Sequence, residues 1–111
     1  MRQDLFRGHL ETLILAVLDD GPGHGYAISQ ELAARSGGVL SYPTGSLYPA
    51  LRRLEKARLI TGTWRGETGR HRRTYELTSA GRRMLNADKA DWQQFTSAVE
   101  SVLRRRPSTA D

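Results

Sequence analysis

The chain has no cysteine, which excludes disulfides and thiolate zinc sites. No apolar run reaches the ~18 residues that span a bilayer, and the first residues carry no secretory signal pattern, so the expected compartment is the cytoplasm and no membrane partner is expected. The three histidines, His9, His24 and His71, stand far apart, and no serine sits in a nucleophile motif. No set of base, orienting group and nucleophile can be assembled from them, so the chain reads as a non-enzyme without cofactor or metal. His24 reads as a helix-start residue that packs or caps, and His9 and His71 as surface residues.

Positive charge is abundant. Lys and Arg number 17 against 12 Asp and Glu, and the sequence pI near 10.2 favours a polyanionic partner such as nucleic acid or an acidic surface. Between Arg52 and Arg73 there are eight cations against Glu55 and Glu67, so one segment holds a balance of +6 and the remainder sums to −1. A length of 111 residues suits one compact domain plus an extension.

Leu10, Leu13, Ile14, Val17 and Leu18 recur at helical spacing with Glu11 and Thr12 turned away, which predicts a core helix over about 4–19. Gly21-Pro22-Gly23 stops it. A second helix is predicted over 25–36, burying Ile28, Leu32, Tyr26 and Ala33 and ending at Gly37-Gly38. A third starts near Thr44 or Ser46, either of which can cap it, and runs to about Ala57 with Leu47, Leu51 and Leu54 inward. Pro49 is tolerable only near the first turn, so this helix starts late or with a distorted turn.

Two strand-like runs follow, 59–65 and 71–78, joined by Gly66-Glu67-Thr68-Gly69 as a hairpin loop. Alternation puts Ile60 and Trp64 on one side, where Tyr75 and Leu77 can pack with them. From Thr78, a plausible cap, a last helix is predicted to about 106, ~40 Å long at 1.5 Å per residue. Leu85, Asp88, Trp92, Phe95, Val99 and Val102 are spaced alternately by three and four, the period of a coiled-coil seam with one polar member. An apolar row on so long a helix predicts a homodimer, with Leu85, Trp92, Phe95, Val99 and Val102 as its interface.

The fold class is therefore mainly α with a β-hairpin wing: a winged helix-turn-helix over 1–78, a dimerisation helix over 79–107 and a disordered tail over 108–111. In such a motif the second helix of the pair enters the major groove. Arg52 or Arg53 can donate bidentately to guanine, and Thr44, Ser46 and Tyr48 can reach phosphates or base edges, with packing against the neighbouring helix as the other role for Tyr48. The wing arginines Arg65, Arg70, Arg72 and Arg73 can straddle phosphates or enter a narrow minor groove. Strand alternation cannot send Arg72 and Arg73 the same way, so one contributes less. The expected partner is double-stranded DNA; the alternative is a winged module that binds RNA or protein, which a flat salt dependence would reveal.

Pro22-Gly23-His24-Gly25-Tyr26, the run from Gly45 to Glu55, Gly69-Arg70 with Tyr75-Glu76-Leu77-Thr78 and Gly81, and Trp92 together resemble the PadR-type transcriptional regulators over nearly the whole chain. The short C-terminal part is similar to their smaller subfamily, with one dimerising helix. The resemblance implies a repressor that binds a palindromic operator as a homodimer and is released by a small molecule or another signal. In drug-sensing relatives of that subfamily a tryptophan matching Trp92 lines a cavity between subunits. That implies Trp92 and Phe95 as a pocket for a planar aromatic effector; the alternative is a dry interface in which Trp92 only packs. One departure stands out: Arg58 occupies the position where the family has a glycine that ends the recognition helix. A left-handed cap there would cost about 1 kcal/mol relative to glycine, unless the helix ends differently or a phosphate contact offsets it.

Overall fold

The computed structural model describes residues 9–66 and 72–104. Expectations that concern 1–8, the hairpin turn with Arg70 and His71, or the tail beyond Arg104 lie outside the described residues. The elements are α1 (Leu10–Asp19), β1 (Gly23–His24), α2 (Gly25–Arg35), α3 (Thr44–Lys56), β2 (Ile60–Arg65), β3 (Arg72–Leu77) and α4 (Ser79–Leu103).

Helix α1 is the hub, touching α2, α3, α4 and β3. That encirclement explains a departure from the predicted stripe. Leu15 is fully buried beside Leu10, Ile14 and Leu18, whereas Leu13 and Val17 are only half-buried against the core. On α2 the core side is Gly25, Ile28 and Leu32. Tyr26, predicted inward, is exposed, because it lies two residues before Ile28 and therefore on the opposite side of the helix.

Gly37 and Gly38 adopt φ of 61° and 85°, and the Gly38 amide returns to the Ala33 carbonyl at 2.8 Å, so α2 ends on the left-handed turn that its glycines permit. Helix α3 begins at Thr44, with neither Thr44 nor Ser46 supplying a side-chain cap. The backbone carbonyl of Pro43 accepts from Ser46 and Leu47 instead. Pro49 sits within the helix and deprives the Gly45 carbonyl of its intrahelical donor, on a side of the helix where Gly45 is exposed to solvent.

The C-terminus of α3 and the N-terminus of α4 are built on each other. Arg58 has φ 62°; its amide donates to the Glu55 carbonyl and the Leu59 amide to the Leu54 carbonyl, both at 3.0 Å. This is the paired hydrogen bonding of a left-handed helix stop, made here by an arginine. The Thr78 hydroxyl points at the Arg58 and Leu59 carbonyls (2.8 and 3.0 Å), its oxygen accepts from the Gly81 amide (3.0 Å), and the Thr78 amide donates to the Leu59 carbonyl (3.1 Å). One threonine thus caps α4 and fastens it to the turn that ends α3.

The sheet has three antiparallel strands in the order β1-β3-β2, where sequence periodicity predicts two. The extra strand is only Gly23 and His24, opposite Tyr75 and Thr74, too short for any periodic signal. On one face Ile60, Gly62 and Trp64 stand opposite Leu77, Tyr75 and Arg73; on the other Thr61, Thr63 and Arg65 stand opposite Glu76, Thr74 and Arg72. Ile60 and Tyr75 are buried, but Trp64, predicted to pack with them, is 64% exposed because β2 has run beyond the helices by that point.

Helix α4 spans 25 residues, ~37 Å at 1.5 Å per residue. Its buried residues, Gly81 and Leu85, both lie in its first two turns. Gly81 is there of necessity, since a Cβ at this position would fall 2.0 Å from the Leu59 carbonyl oxygen. Replacing Gly81 by alanine must push α4 off the α3 turn, and we expect a loss of about 2 kcal/mol or more in chemical denaturation; a change within experimental error would show that the junction is not close-packed.

Candidate nucleic-acid interface

Helix α3 buries Leu47, Ala50, Leu51 and Leu54 and turns its remaining side chains outward. Thr44, Ser46, Tyr48, Arg52, Arg53 and Lys56 are all exposed. Gly45, Arg52 and Lys56 lie on the stripe directly opposite the buried leucines, and Arg52 and Lys56 pair with no carboxylate among the described residues. Arg53 sits on the flank towards α1 and donates to Glu11 at 2.6 Å. Tyr48 lies on the other flank with its ring across Gly25: a Cβ on Gly25 would come within 2.8 Å of the Tyr48 hydroxyl oxygen. Its packing role coexists with a residue exposure of 39%.

The wing divides its arginines by strand alternation. Arg72 is exposed and has no carboxylate partner among the described residues, and Arg65, also exposed, has only Glu76 at 3.9 Å. Arg73 turns the other way. Its guanidinium lies across Gly62, 5.4 Å from the Trp64 ring centroid, and hydrogen-bonds Glu55 of α3, the Nε donating to Oε1 at 3.3 Å. The Glu55 hydrogen bonds hold the guanidinium charged even more firmly than usual. Nearby, burial pushes the Tyr75 phenol up, so it stays neutral. Arg73, expected on phosphates, therefore spends its charge tying the wing to α3.

On α4 the expected seam is split. Leu85, expected in a dimer interface, is 1% exposed and belongs to the chain's own core, because the first two turns of α4 pack on α1. Asp88, the polar member, accepts from the Thr12 hydroxyl of α1 at 2.8 Å. Beyond it the helix leaves the domain: Trp92 is 47% exposed, Phe95 57% and Val102 83%, while Val99 is half-buried. The Trp92 ring meets the edge of His9 at 4.7 Å and lies 5.9 Å from Phe95. His24 caps α2, its Nδ1 accepting from the Ala27 amide at 3.2 Å. No helix among the described residues is long and apolar enough to cross a membrane.

A three-helix domain with an exposed basic third helix, a β-hairpin beside it and a long C-terminal helix defines the winged helix-turn-helix class of transcriptional regulators. Residues 14–87 match the transcriptional regulator PadR-like family, and the chain belongs to that family. It is 39% identical over 93 residues to a transcriptional regulator of Mycobacterium tuberculosis, covering 84% of each chain. Its fold superposes on a transcriptional regulator from Clostridium thermocellum with a TM-score of 0.86 at 26% identity, covering 92% of this chain and all of that one. It also superposes on a PadR family regulator from Eggerthella lenta with a TM-score of 0.81 at 31% identity, covering 93% and 88%. These relatives are regulators rather than enzymes.

The Arg73–Glu55 bridge predicts an unusual sign. Glu55→Gln removes a negative charge beside the exposed cationic face of α3, which by charge alone would strengthen binding to a polyanion. If the bridge orients the wing, Glu55→Gln and Arg73→Ala should each weaken duplex binding by about fivefold, as expected for a partly exposed ion pair. Tighter binding by Glu55→Gln in a fluorescence anisotropy titration would mean that Arg73 is a phosphate contact held back by Glu55.

Proposed function

We propose that the protein is a repressor that binds a palindromic DNA operator as a homodimer and is released by a small-molecule effector. The observation that carries the DNA reading is the outward stripe of α3, where Arg52 has no carboxylate partner among the described residues while Arg53 and Arg73 are occupied by Glu11 and Glu55. An unpaired guanidinium on the groove-facing side is free to donate to the two acceptors of guanine. Thr44, Ser46 and Tyr48 are also exposed on α3, and Arg65 and Arg72 extend the cationic surface along the wing; Arg70 lies outside the described residues.

The homodimer rests on the distal half of α4, where Trp92, Phe95, Val99 and Val102 form a largely exposed row continued by Leu103. A second copy of the same helix, related by a twofold axis, covers such a row with identical chemistry. Two recognition helices would then meet half-sites roughly 34 Å apart, one turn of duplex. The neighbouring rings of Phe95 and His9, inclined at 40° and 65° to that of Trp92, supply aromatic faces and edges for a planar effector. Domain limits follow the same division, a DNA-binding unit over 1–78 and a dimerising helix over 79–107.

Selection of bound duplexes from a random pool should return inverted repeats. On the selected site, Arg52→Ala is expected to lose ~1–3 kcal/mol of affinity and to relax preference at one base pair per half-site; equal loss on operator and random DNA would demote Arg52 to a phosphate contact. Trp92→Ala with Phe95→Ala should release monomer, and a dimer that persists in light scattering would reject α4 as the interface. In a Trp64→Phe background, Trp92 is the remaining tryptophan, so its emission should change with planar aromatic ligands if the effector site is there.

A further inference from the structure

His24 and Arg72 present a hydrogen-bonding conflict. The Nδ1 of His24 accepts from the Ala27 amide as the cap of α2, so this nitrogen carries no proton, and the proton of the neutral ring is on Nε2. That Nε2–H lies 3.3 Å from Nη1 of Arg72, which can only donate. Neither nitrogen accepts from the other, and a single oxygen placed between them can take a hydrogen bond from each.

The surroundings favour an anionic oxygen. Arg72 stands directly opposite Arg65 across the β2-β3 ladder, a like-charge pair that is destabilising unless compensated. His24 stands opposite Thr74 on β3, which places its ring diagonally beside Arg72 on that same face of the sheet. The next residue, Gly25, lies beneath the Tyr48 ring, so the cluster adjoins the exposed flank of α3. Sequence reasoning treated His24 as a cap alone; the strand β1, invisible to periodicity, is what carries its outer nitrogen to Arg72.

We infer that His24 Nε2 and Arg72 Nη1 form a two-donor clamp for one phosphodiester oxygen of the DNA backbone flanking the groove read by α3. The inference rests on the DNA-binding reading above and adds a contact that reads no sequence. It positions the domain on the duplex through a rigid element: the ring is held by the helix cap on one side and the strand pairing on the other.

The test uses the full chain and two substitutions. His24→Asn keeps a side-chain acceptor for the Ala27 amide but removes the outer donor; Arg72→Ala removes the other. Each should lose about tenfold in duplex affinity, the worth of one hydrogen bond to a charged group, equally on the selected operator and on random DNA. Arg72→Ala should also lower the slope of log affinity against log salt by about one. Because the two donors share one phosphate, the double variant should bind little worse than either single one. Wild-type affinity in His24→Asn, or fully additive losses, would overturn the clamp while leaving DNA binding intact; no duplex binding by the wild type would overturn both. Titration with inorganic phosphate separates a free-anion site: ring NMR signals of His24 that shift with phosphate but not with duplex would also overturn the proposal.

Discussion

The Thr78 hydroxyl is the contact on which the arrangement of this molecule depends. It joins the carbonyls of Arg58 and Leu59, where the recognition helix stops, to the amide of Gly81, where the long helix starts. The hydroxyl proton is shared between two carbonyls at one helix end while its oxygen takes the Gly81 amide at the other, and the Thr78 amide adds a second bond to Leu59. The missing side chain of Gly81 lets the helix approach closely enough for this to happen. A direct consequence is that α3 and α4 share a boundary, so the exposed cationic face of α3 and the rod that extends from the domain are set by the same few atoms.

A second set of contacts orients the remaining parts against that junction. Arg73 reaches from the wing to Glu55 one turn before the stop, and Thr12 reaches from α1 to Asp88 two turns after Gly81. Both use polar side chains at positions where apolar packing gives out: β2 has left the helices at Trp64, and α4 is leaving the domain at Trp92. Hydrogen bonds with fixed partners specify orientation there better than sliding apolar contacts do. The charge surplus between Arg52 and Arg73 is thus only partly a DNA-facing surplus. Arg53 and Arg73 hold the scaffold, while Arg52, Lys56, Arg58 and Arg72 lack a carboxylate partner among the described residues.

Much of this was legible before the structure. Helical spacing locates α1, α2 and α3 to within a residue or two where they are described, and the family motif singles out Arg58 as standing where a glycine ends the helix; between the alternatives left open there, its φ of 62° selects the left-handed stop. What the sequence hid has specific physical reasons. A two-residue strand has no period, so β1 and the outer contact of His24 could not be read. A helix surrounded by four elements buries more than one stripe, so Leu15 was missed. Heptad spacing marks an apolar stripe but not what covers it, so Leu85 was assigned to a partner when its own core takes it. The pairing of Arg53 with Glu11, across 42 positions, is beyond any local pattern.

Gly81 also has a mechanical meaning. Among the described residues the rod is held to the domain by its first turns, by the Thr12–Asp88 hydrogen bond and by the ring contact of Trp92 with His9, and most of its ~37 Å length lies beyond Asp88. A tilt of about five degrees at that pivot displaces the far end by roughly 3 Å, comparable to the rise of one base-pair step. Conversely, a displacement of a few ångströms at the far end of the rod turns the domain by only a few degrees. A lever of this proportion couples the orientation of the domain to what the distal end of the rod touches, with no rearrangement inside the domain itself.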